Sequence, residues 1–505
     1  MTAEFGSIRP APVHRPLGGV AALIGCAPPE ADAVVSGITH DSRRVRPGDL
    51  YVALPGKETH GARYWPQARS RGAAAVLTDP SGVPGLTDCD LPVLACADPR
   101  GQLGDISSWI YGCPADRLQI VGVTGTNGKT TVTRLMEAAI SSCGASVGVI
   151  GTTGIKGGGL SVASPRTTPE ATDLHAVLAV MAERGVETVV MEVSSHALVL
   201  DRVGGIRFAV AVFTNLTQDH LDFHGDLETY FAAKSLLFQP GTAELAVINV
   251  DCPWGRRLRS RIEIASQGYA VESAEGADWV ARDVVRQGIG YRYRLTGPGV
   301  DELGSVGLPG DFNLSNAVAA TAAAINCGYD PRRVQAGIAE AEGPPGRMER
   351  VPVSTGAVVL VDYAHTPDAV AMAARVGRGL VDPEVGRLTV VLGAGGDRDR
   401  DKREAMGFAA GLVADRVIVT DDNPRSESRA AIRERVLAGA RNHRAEVIEV
   451  GDRGEAVACA LAEAGVGDVV MVLGKGHESG QEIEGVVYPM DDRELIRSAD
   501  RGSST

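Results

Sequence analysis

Gly125-Thr-Asn-Gly-Lys-Thr-Thr131 combines residue types suited to one chemistry, the cradling of a nucleoside triphosphate. Small residues let successive backbone N–H groups turn into one concavity, Lys129 adds a point charge, and the Thr130 hydroxyl offers an oxygen to Mg²⁺. Gly125, Thr126, Asn127, Gly128, Lys129, Thr130 and Thr131 are therefore the expected ATP-binding residues, with Lys129 acting on the phosphates. A strict G-x-x-x-x-G-K-[ST] pattern would need glycine at position 123, where this chain has Val123, so the loop is a distinct subtype. Its context is right: the apolar run Leu118-Gln-Ile-Val-Gly-Val123 precedes it and a helix-compatible stretch to about Ser142 follows.

Three further features call for chemistry. Glu192 ends the apolar run Val189-Val-Met191, where an unpaired carboxylate would be costly to bury; it predicts a metal or a basic partner, with a solvated strand end as the alternative. His220 lies in Asn215-Leu-Thr-Gln-Asp-His-Leu-Asp-Phe-His224, a run dense in possible ligands, although a single histidine is more often structural than catalytic. Lys234 is surrounded by Tyr230, Phe231, Leu236, Leu237 and Phe238. Periodicity favours a lysine snorkelling to solvent. The other reading is a low-dielectric site with a lowered pKa, whose neutral amine reacts with carbon dioxide to form a carbamate beside a metal.

At 505 residues the chain predicts about three domains. Scarce aromatics and abundant Ala, Gly and Val favour α/β architecture throughout. Short apolar runs such as Asp49–Leu54 and Ala73–Thr78 predict a small α/β domain over residues 1–98. Strands near 118–123, 146–150, 188–193, 209–214 and 245–250 predict a central α/β ATPase domain over 99–345. Their carboxyl ends would form the ligand crevice, which can gather Glu192, His220 and Lys234 near the phosphate loop. Residues 270–308 read as less regular, with a short strand near 291–295. Strands at 358–362, 388–392, 416–420, 446–450 and 468–473 alternate with helical stretches and predict a Rossmann-like third domain over 346–505.

The net charge of −13 argues against nucleic acid as a partner, and no segment is long and apolar enough to span a membrane. With no secretory h-region at the N-terminus, a cytoplasmic protein is expected. Eight cysteines without a C-x-x-C pair suggest neither zinc nor a disulfide framework. Only six of the 50 basic residues are lysines (57, 129, 156, 234, 402 and 475), so each becomes a candidate for a role arginine cannot fill.

The loop at 125–131, Glu192-Val-Ser-Ser-His196, Thr214–Asp222, Ala232-Ala-Lys234, Gly310–Asn316, Gly346-Arg-Met-Glu349 and Val361–Pro367 together resemble the Mur ligases of peptidoglycan synthesis. Within them the chain is most similar to the branch that adds diaminopimelate. The resemblance runs in order from about Asp41 to Glu478. It implies that Ser42, Lys57, Glu58 and Thr59 contact the UDP part of the substrate, although His40 and His60 depart from the usual neighbours there. It implies that Thr167, Thr168, Ser194 and Arg202 hold the muramoyl-peptide portion, and that Asn313, Arg347 and Asp362 lie around ATP. It makes Lys234 a carbamylated lysine (N6-carboxylysine), in place of the snorkelling reading, and Thr130, Glu192, His220 and Lys234 the surroundings of Mg²⁺. Lys129, His220 and Lys234 are the implied catalytic residues.

For the amino acid the resemblance implies Asp422, Asn423, Pro424 and Arg425, with Arg398, Gly474 and Glu478. Diaminopimelate carries a second carboxylate at its far end, which Arg425 can grip bidentately, and an ammonium suited to Glu478. Lysine has only the ammonium there, which Arg425 would repel. The expectation is a monomeric ATP-dependent amide ligase, working through an acyl phosphate on UDP-N-acetylmuramoyl-L-alanyl-D-glutamate and diaminopimelate. The rivals are a lysine-adding, D-alanyl-D-alanine-adding or folylpolyglutamate-forming ligase, and a nucleotide-switched binding protein without ligase activity.

Overall fold

The computed structural model describes residue 6 and residues 8–29, 33–56, 58–397 and 399–503. Lys57 and Arg398, both expected to bind substrate, lie outside the described residues. By packing, the chain forms two units. The first runs through Glu342 without residues 288–290 and 308–310; those residues and Gly343 onward make the second.

In the first unit the strand Gln119–Thr124 lies between the parallel strands Thr188–Glu192 and Phe208–Phe213, pairing Val123 with Glu192 and Thr124 with Phe213. Its apolar side chains are fully buried, which is why this stretch is apolar without alternation. Strands Val147–Gly151, Ala243–Asn249 and Ala265–Ala270 continue the parallel sheet on either side. Helix Lys129–Ser142 follows the phosphate loop and packs against helices Asp311–Asn326 and Pro331–Glu340. The region 270–308 is more regular than its sequence suggests. Strands Trp279–Gln287, Gly290–Gly297 and Val300–Val306 extend the sheet on one side, the last two pairing antiparallel, and the antiparallel Gly154–Gly157 and Leu160–Val162 on the other bring it to eleven strands. Tyr291, Tyr293 and Leu295 point into the core between exposed Arg292 and Arg294, a one-sided alternation.

A separate four-stranded parallel sheet is formed by Gly37–Thr39, Asp49–Ala53, Ala75–Thr78 and Val93–Ala95. Its core includes Leu103, Ile106 and Ile110 of helix Leu103–Ile110, and Ala171, Ala176 and Ala179 of helix Ala171–Glu183. The boundary expected at 98–99 thus falls inside the first packing unit, whereas the one expected at 345–346 lies three residues from its end.

The second unit holds a six-stranded sheet. Strand Val469–Leu473 is inserted between Val358–Asp362 and Leu388–Leu392, with Arg416–Val419 and Glu446–Glu449 beyond, all five parallel, and the short Glu349–Arg350 pairs antiparallel with Val358–Asp362 at the other edge. The loops that follow residues 362, 392, 419 and 473 therefore emerge at one edge, where α/β sheets bind ligands. A hairpin, Gly480–Ile483 with Val486–Pro489, lies beside the 422–425 loop through a bridge between Arg425 and Ile483.

Candidate active site

The phosphate loop closes tightly because its glycines leave room for their neighbours. A Cβ on Gly125, whose φ is +151°, would stand 1.9 Å from Thr214 Oγ1, and one on Gly128 would stand 2.4 Å from Asn316 Oδ1. Asn215 ties the loop from the next strand: its side-chain carbonyl accepts from Asn127 N at 2.9 Å and its backbone carbonyl from Thr126 N at 2.9 Å. The Thr126 hydroxyl donates to the Thr217 carbonyl at 3.2 Å and accepts from Thr217 N at 3.0 Å. Thr131 is buried in the first turn of the helix.

Two lysines converge on one carbonyl. Lys129 Nζ donates to Gly125 O at 2.8 Å and Thr126 O at 2.9 Å; Lys234 Nζ donates to the same Gly125 O at 2.9 Å. Lys234 is 1% exposed and lies 4.4 Å from the Tyr230 ring centre, so it does not snorkel. Burial holds its amine well below the usual lysine pKa; the positive charge of Lys129 adds to this and Asp219 opposes it.

Glu192, 1% exposed, has partners on both carboxylate oxygens. Thr152 N donates to Oε1 at 2.8 Å, and the Thr130 and Thr152 hydroxyls donate to Oε2 at 3.0 and 3.2 Å. Thr130 and Glu192 are thus brought together. His220 is exposed at φ 52°, its ring 5.0 Å from that of His196 and 6.3 Å from that of Tyr230. Among the described residues no trio of His, Cys, Asp and Glu side chains is grouped to hold a metal. The expected set contains only two such residues, Glu192 and His220, with Thr130 and Lys234 beside them.

Thr168 links the same strand end to the residues expected for the muramoyl peptide. Its hydroxyl donates to Glu192 O at 2.9 Å and accepts from Ser194 N at 3.1 Å. Arg202 Nη1 donates to Thr168 O at 3.3 Å while Nη2 pairs with Glu170 at 2.9 Å, and the Thr167 hydroxyl lies 3.2 Å from that of Thr152. In the small sheet, Ser42 is buried and donates to Gln67 Oε1 at 2.7 Å. Glu58 is exposed, and Thr59 O accepts from Gly56 N at 3.1 Å. Asn313 is buried, accepting from Asn316 Nδ2 at 3.1 Å.

In the second unit, Asp362 accepts from Met348 N at 2.8 Å and Ala364 N at 2.9 Å; burial raises its pKa and Arg347 opposes the rise. The Arg347 guanidinium stacks 4.7 Å from the Tyr363 ring centre. A second cluster forms at the ends of strands Arg416–Val419 and Val469–Leu473. Arg425, also at positive φ (50°), donates through Nε to Glu482 Oε2 at 3.1 Å and through Nη1 to Gly396 O at 2.6 Å. Asn423 Nδ2 donates to Glu478 Oε2 at 2.9 Å. Asp422 accepts from Asn423 N at 2.7 Å; a Cβ on Gly474 would stand 2.6 Å from Asp422 Oδ2; Pro424 is buried. Glu427 braces this loop: it pairs with Arg403, which also donates to Gly395 O at 3.0 Å.

Sequence reasoning missed Thr152, Thr214, Asn316 and Glu482 as parts of these clusters, and singled out Lys475 only through the rarity of lysine. Asn316 lies in the Gly310–Asn316 motif, and Thr152 in the small polar run 151–154, so a weak signal existed for both. Thr214 opens the Thr214–Asp222 motif and so carried a signal too, whereas Glu482 acts through contacts across the chain that no local pattern reveals.

A glycine-rich loop between parallel strand and helix, with a lysine and a buried carboxylate at the strand ends, defines a nucleoside-triphosphate-binding α/β protein. Three family models match the chain in order: the Mur ligase family catalytic domain at 34–108, the Mur ligase middle domain at 123–324, and the Mur ligase glutamate ligase domain at 346–476. The chain is 47% identical over 500 residues to a UDP-N-acetylmuramoyl-L-alanyl-D-glutamate–2,6-diaminopimelate ligase of Streptomyces avermitilis, covering 98% of each chain. It is 46% identical to the like-named ligase of Streptomyces coelicolor, covering 96% of each. A solved structure under that enzyme name superposes with a TM-score of 0.70 at 32% identity over the whole of both chains. The chain belongs to the Mur ligase family.

Proposed function

We propose that this chain is an ATP-dependent amide ligase that joins diaminopimelate to the D-glutamate of UDP-N-acetylmuramoyl-L-alanyl-D-glutamate, in the building of peptidoglycan precursors. The family and its relatives' near-full-length identity support the reaction class. The observation that carries the amino-acid assignment is the pairing at one sheet edge of a guanidinium, Arg425, with a carboxylate, Glu478, joined through Asn423 and Glu482. One cation and one anion suit the far end of diaminopimelate, which carries both charges.

In this reading the γ-carboxylate of the D-glutamate attacks the γ-phosphorus of ATP, ADP departs, and an acyl phosphate remains. The amine of diaminopimelate then attacks the acyl carbon, and phosphate leaves. Loop N–H groups and Lys129 hold the triphosphate and oppose the charge on the transferring group. Thr130 and Glu192 would hold Mg²⁺. Their donor set fits, since two hard oxygens lie 3.0 Å apart beside the loop, and His220 and a carbamylated Lys234 are the further expected ligands. Mg²⁺ bound there supplies charge neutralisation on the phosphates.

Lys234 is suited to carbamylation because its buried amine shares an acceptor with Lys129. A carbamate would replace a like-charge neighbour with an opposite one. Thr168, Ser194 and Arg202 orient the muramoyl peptide, and Ser42, Glu58 and Thr59, with Lys57, meet the UDP portion. Residues 1–98, 99–345 and 346–505 serve as the regions for UDP-sugar, ATP and amino acid, in a cytoplasmic monomer. Phosphate release that requires both UDP-muramoyl-dipeptide and diaminopimelate is the expected result. Release without either, or better turnover with L-lysine, would overturn the assignment.

A further inference from the structure

Lys475 has no exposed side-chain surface, although it stands on a loop two residues beyond strand Val469–Leu473. A buried ammonium needs acceptors. Its Nζ donates to Asn423 Oδ1 at 3.0 Å and to Glu478 Oε2 at 3.2 Å. Asn423 Oδ1 also accepts from Glu482 N at 3.0 Å, while its Nδ2 donates to Glu478 Oε2 at 2.9 Å. The amide is therefore fixed in one orientation. Flipped, its NH₂ would face an ammonium and a backbone N–H, and its oxygen would face a carboxylate.

Both described bonds to Glu478 fall on Oε2, so one edge of that carboxylate is committed to the protein while the side chain remains 35% exposed. Two cations, Lys475 and Arg425, stand among the carboxylates of Glu478, Glu482 and Asp422, with Glu482 paired to Arg425 at 3.1 Å and Lys475 to Glu478 at 3.2 Å; the nearby Arg453 is paired with Asp492. A ligand end carrying both an ammonium and a carboxylate adds no net charge to this group. A lone ammonium adds a third cation.

We propose that Lys475 is a positioning and specificity-determining residue: through Asn423 and Glu478 it fixes the amino-acid site and biases it toward a zwitterionic end over a lone ammonium. The inference rests on the ligase reading given above. The test compares wild type and Lys475→Gln in phosphate release with UDP-muramoyl-dipeptide, ATP, and either diaminopimelate or L-lysine. Losing a charged hydrogen bond to the groups that meet the amino acid is expected to raise KM for diaminopimelate about tenfold, with KM for ATP unchanged within about twofold. The preference for diaminopimelate over L-lysine in kcat/KM falls about fivefold or more. In a Glu478→Gln background, the same Lys475 change is expected to alter KM for diaminopimelate by less than about threefold, because the group it acts through is gone.

Equal losses for diaminopimelate and ATP, an unchanged preference, or full additivity with Glu478→Gln would overturn the role. Lys475→Arg keeps the cation and answers the question if the glutamine variant does not fold. Its preference should stay within about threefold of wild type, and a collapse there overturns the role equally. A wild-type enzyme that fails to use diaminopimelate refutes the ligase reading itself; an active wild type with an unaltered Lys475→Gln variant refutes only the inference.

Discussion

Arg425→Asn separates the guanidinium from the backbone that carries it. Arg425 has φ 50°, a left-handed conformation that asparagine tolerates better than most residues. The backbone pairings, Arg425 N to Glu482 O at 3.0 Å and Glu484 N to Arg425 O at 2.8 Å, do not depend on the side chain. The 422–425 loop should therefore keep its place when the charge is lost. In the native protein Nε and Nη1 are held by Glu482 and Gly396, so the guanidinium is oriented before any ligand arrives. A hydrogen bond to a charged group is worth about 1.5–3 kcal/mol. The Arg425 side chain is 24% exposed, which favours the lower half of that range. The expected loss is thus about 10- to 40-fold in kcat/KM for diaminopimelate, at about 1.4 kcal/mol per factor of ten. KM for ATP should stay within about twofold, because in the proposed function Arg425 meets the amino acid rather than the nucleotide. L-lysine should be used no worse than before, and better if repulsion by Arg425 now excludes it. Initial rates of phosphate release, with each substrate varied in turn, provide the measurement. Equal losses for ATP and diaminopimelate, or an unchanged preference between the two amino acids, would refute the reasoning.

Three further outcomes are expected. Lys234→Ala should lose activity by about a hundredfold or more, with partial recovery in formate, acetate or bicarbonate if the carbamate carries the role; full activity in the variant would contradict it. Gly125→Ala should abolish nucleotide-dependent turnover and weaken ADP binding in calorimetry, since the new Cβ would lie 1.9 Å from Thr214 Oγ1; native ADP affinity would count against the tight-loop argument. His175 should make the fold acid-sensitive. Burial holds its imidazole down at about 4, with the bond to Gly204 O at 2.9 Å opposing the shift. Between the ordinary value of 6.5 and about 4 the unfolded chain binds a proton that the folded one refuses. Stability is therefore complete above pH 6.5 and falls by up to about 3 kcal/mol as the pH drops through that window. Urea denaturation of His175→Leu should lose that slope, and an identical slope in the variant would rule the residue out as its source.

How much of this architecture is legible in the chain depends on where each element's partners lie. Gln119–Thr124 can be read from Leu118–Val123 because a parallel strand buried on both faces carries its apolar residues as a run without alternation. Val358–Asp362 and Leu388–Leu392 coincide with their expected ranges to the residue for the same reason. Trp279–Gln287 resists such reading, since every residue from Arg282 onward is exposed and only its place in the sheet makes it a strand. The turn at Asp98–Gly101 is likewise real but marks no break in packing. Leu103, Ile106 and Ile110, which follow it, complete the core of the small sheet before it.

The site divides along the same line. The phosphate loop is local, so its seven residues declare themselves together. Lys234 does not, because the same apolar neighbours suit a snorkelling lysine and a buried one. What decides between them is the Gly125 carbonyl, 109 positions away in the chain. Lys475 follows the same rule: Gly474-Lys-Gly476 reads locally as a flexible turn, and it is Asn423, 52 positions away, that makes the lysine a buried, oriented group. The scarcity of lysine in this chain pointed at both, yet Lys156 is equally rare and exposed. Rarity alone therefore does not select a functional lysine. Burial against acceptors sets Lys234 and Lys475 apart from Lys156: Gly125 O for the first, Asn423 Oδ1 and Glu478 Oε2 for the second.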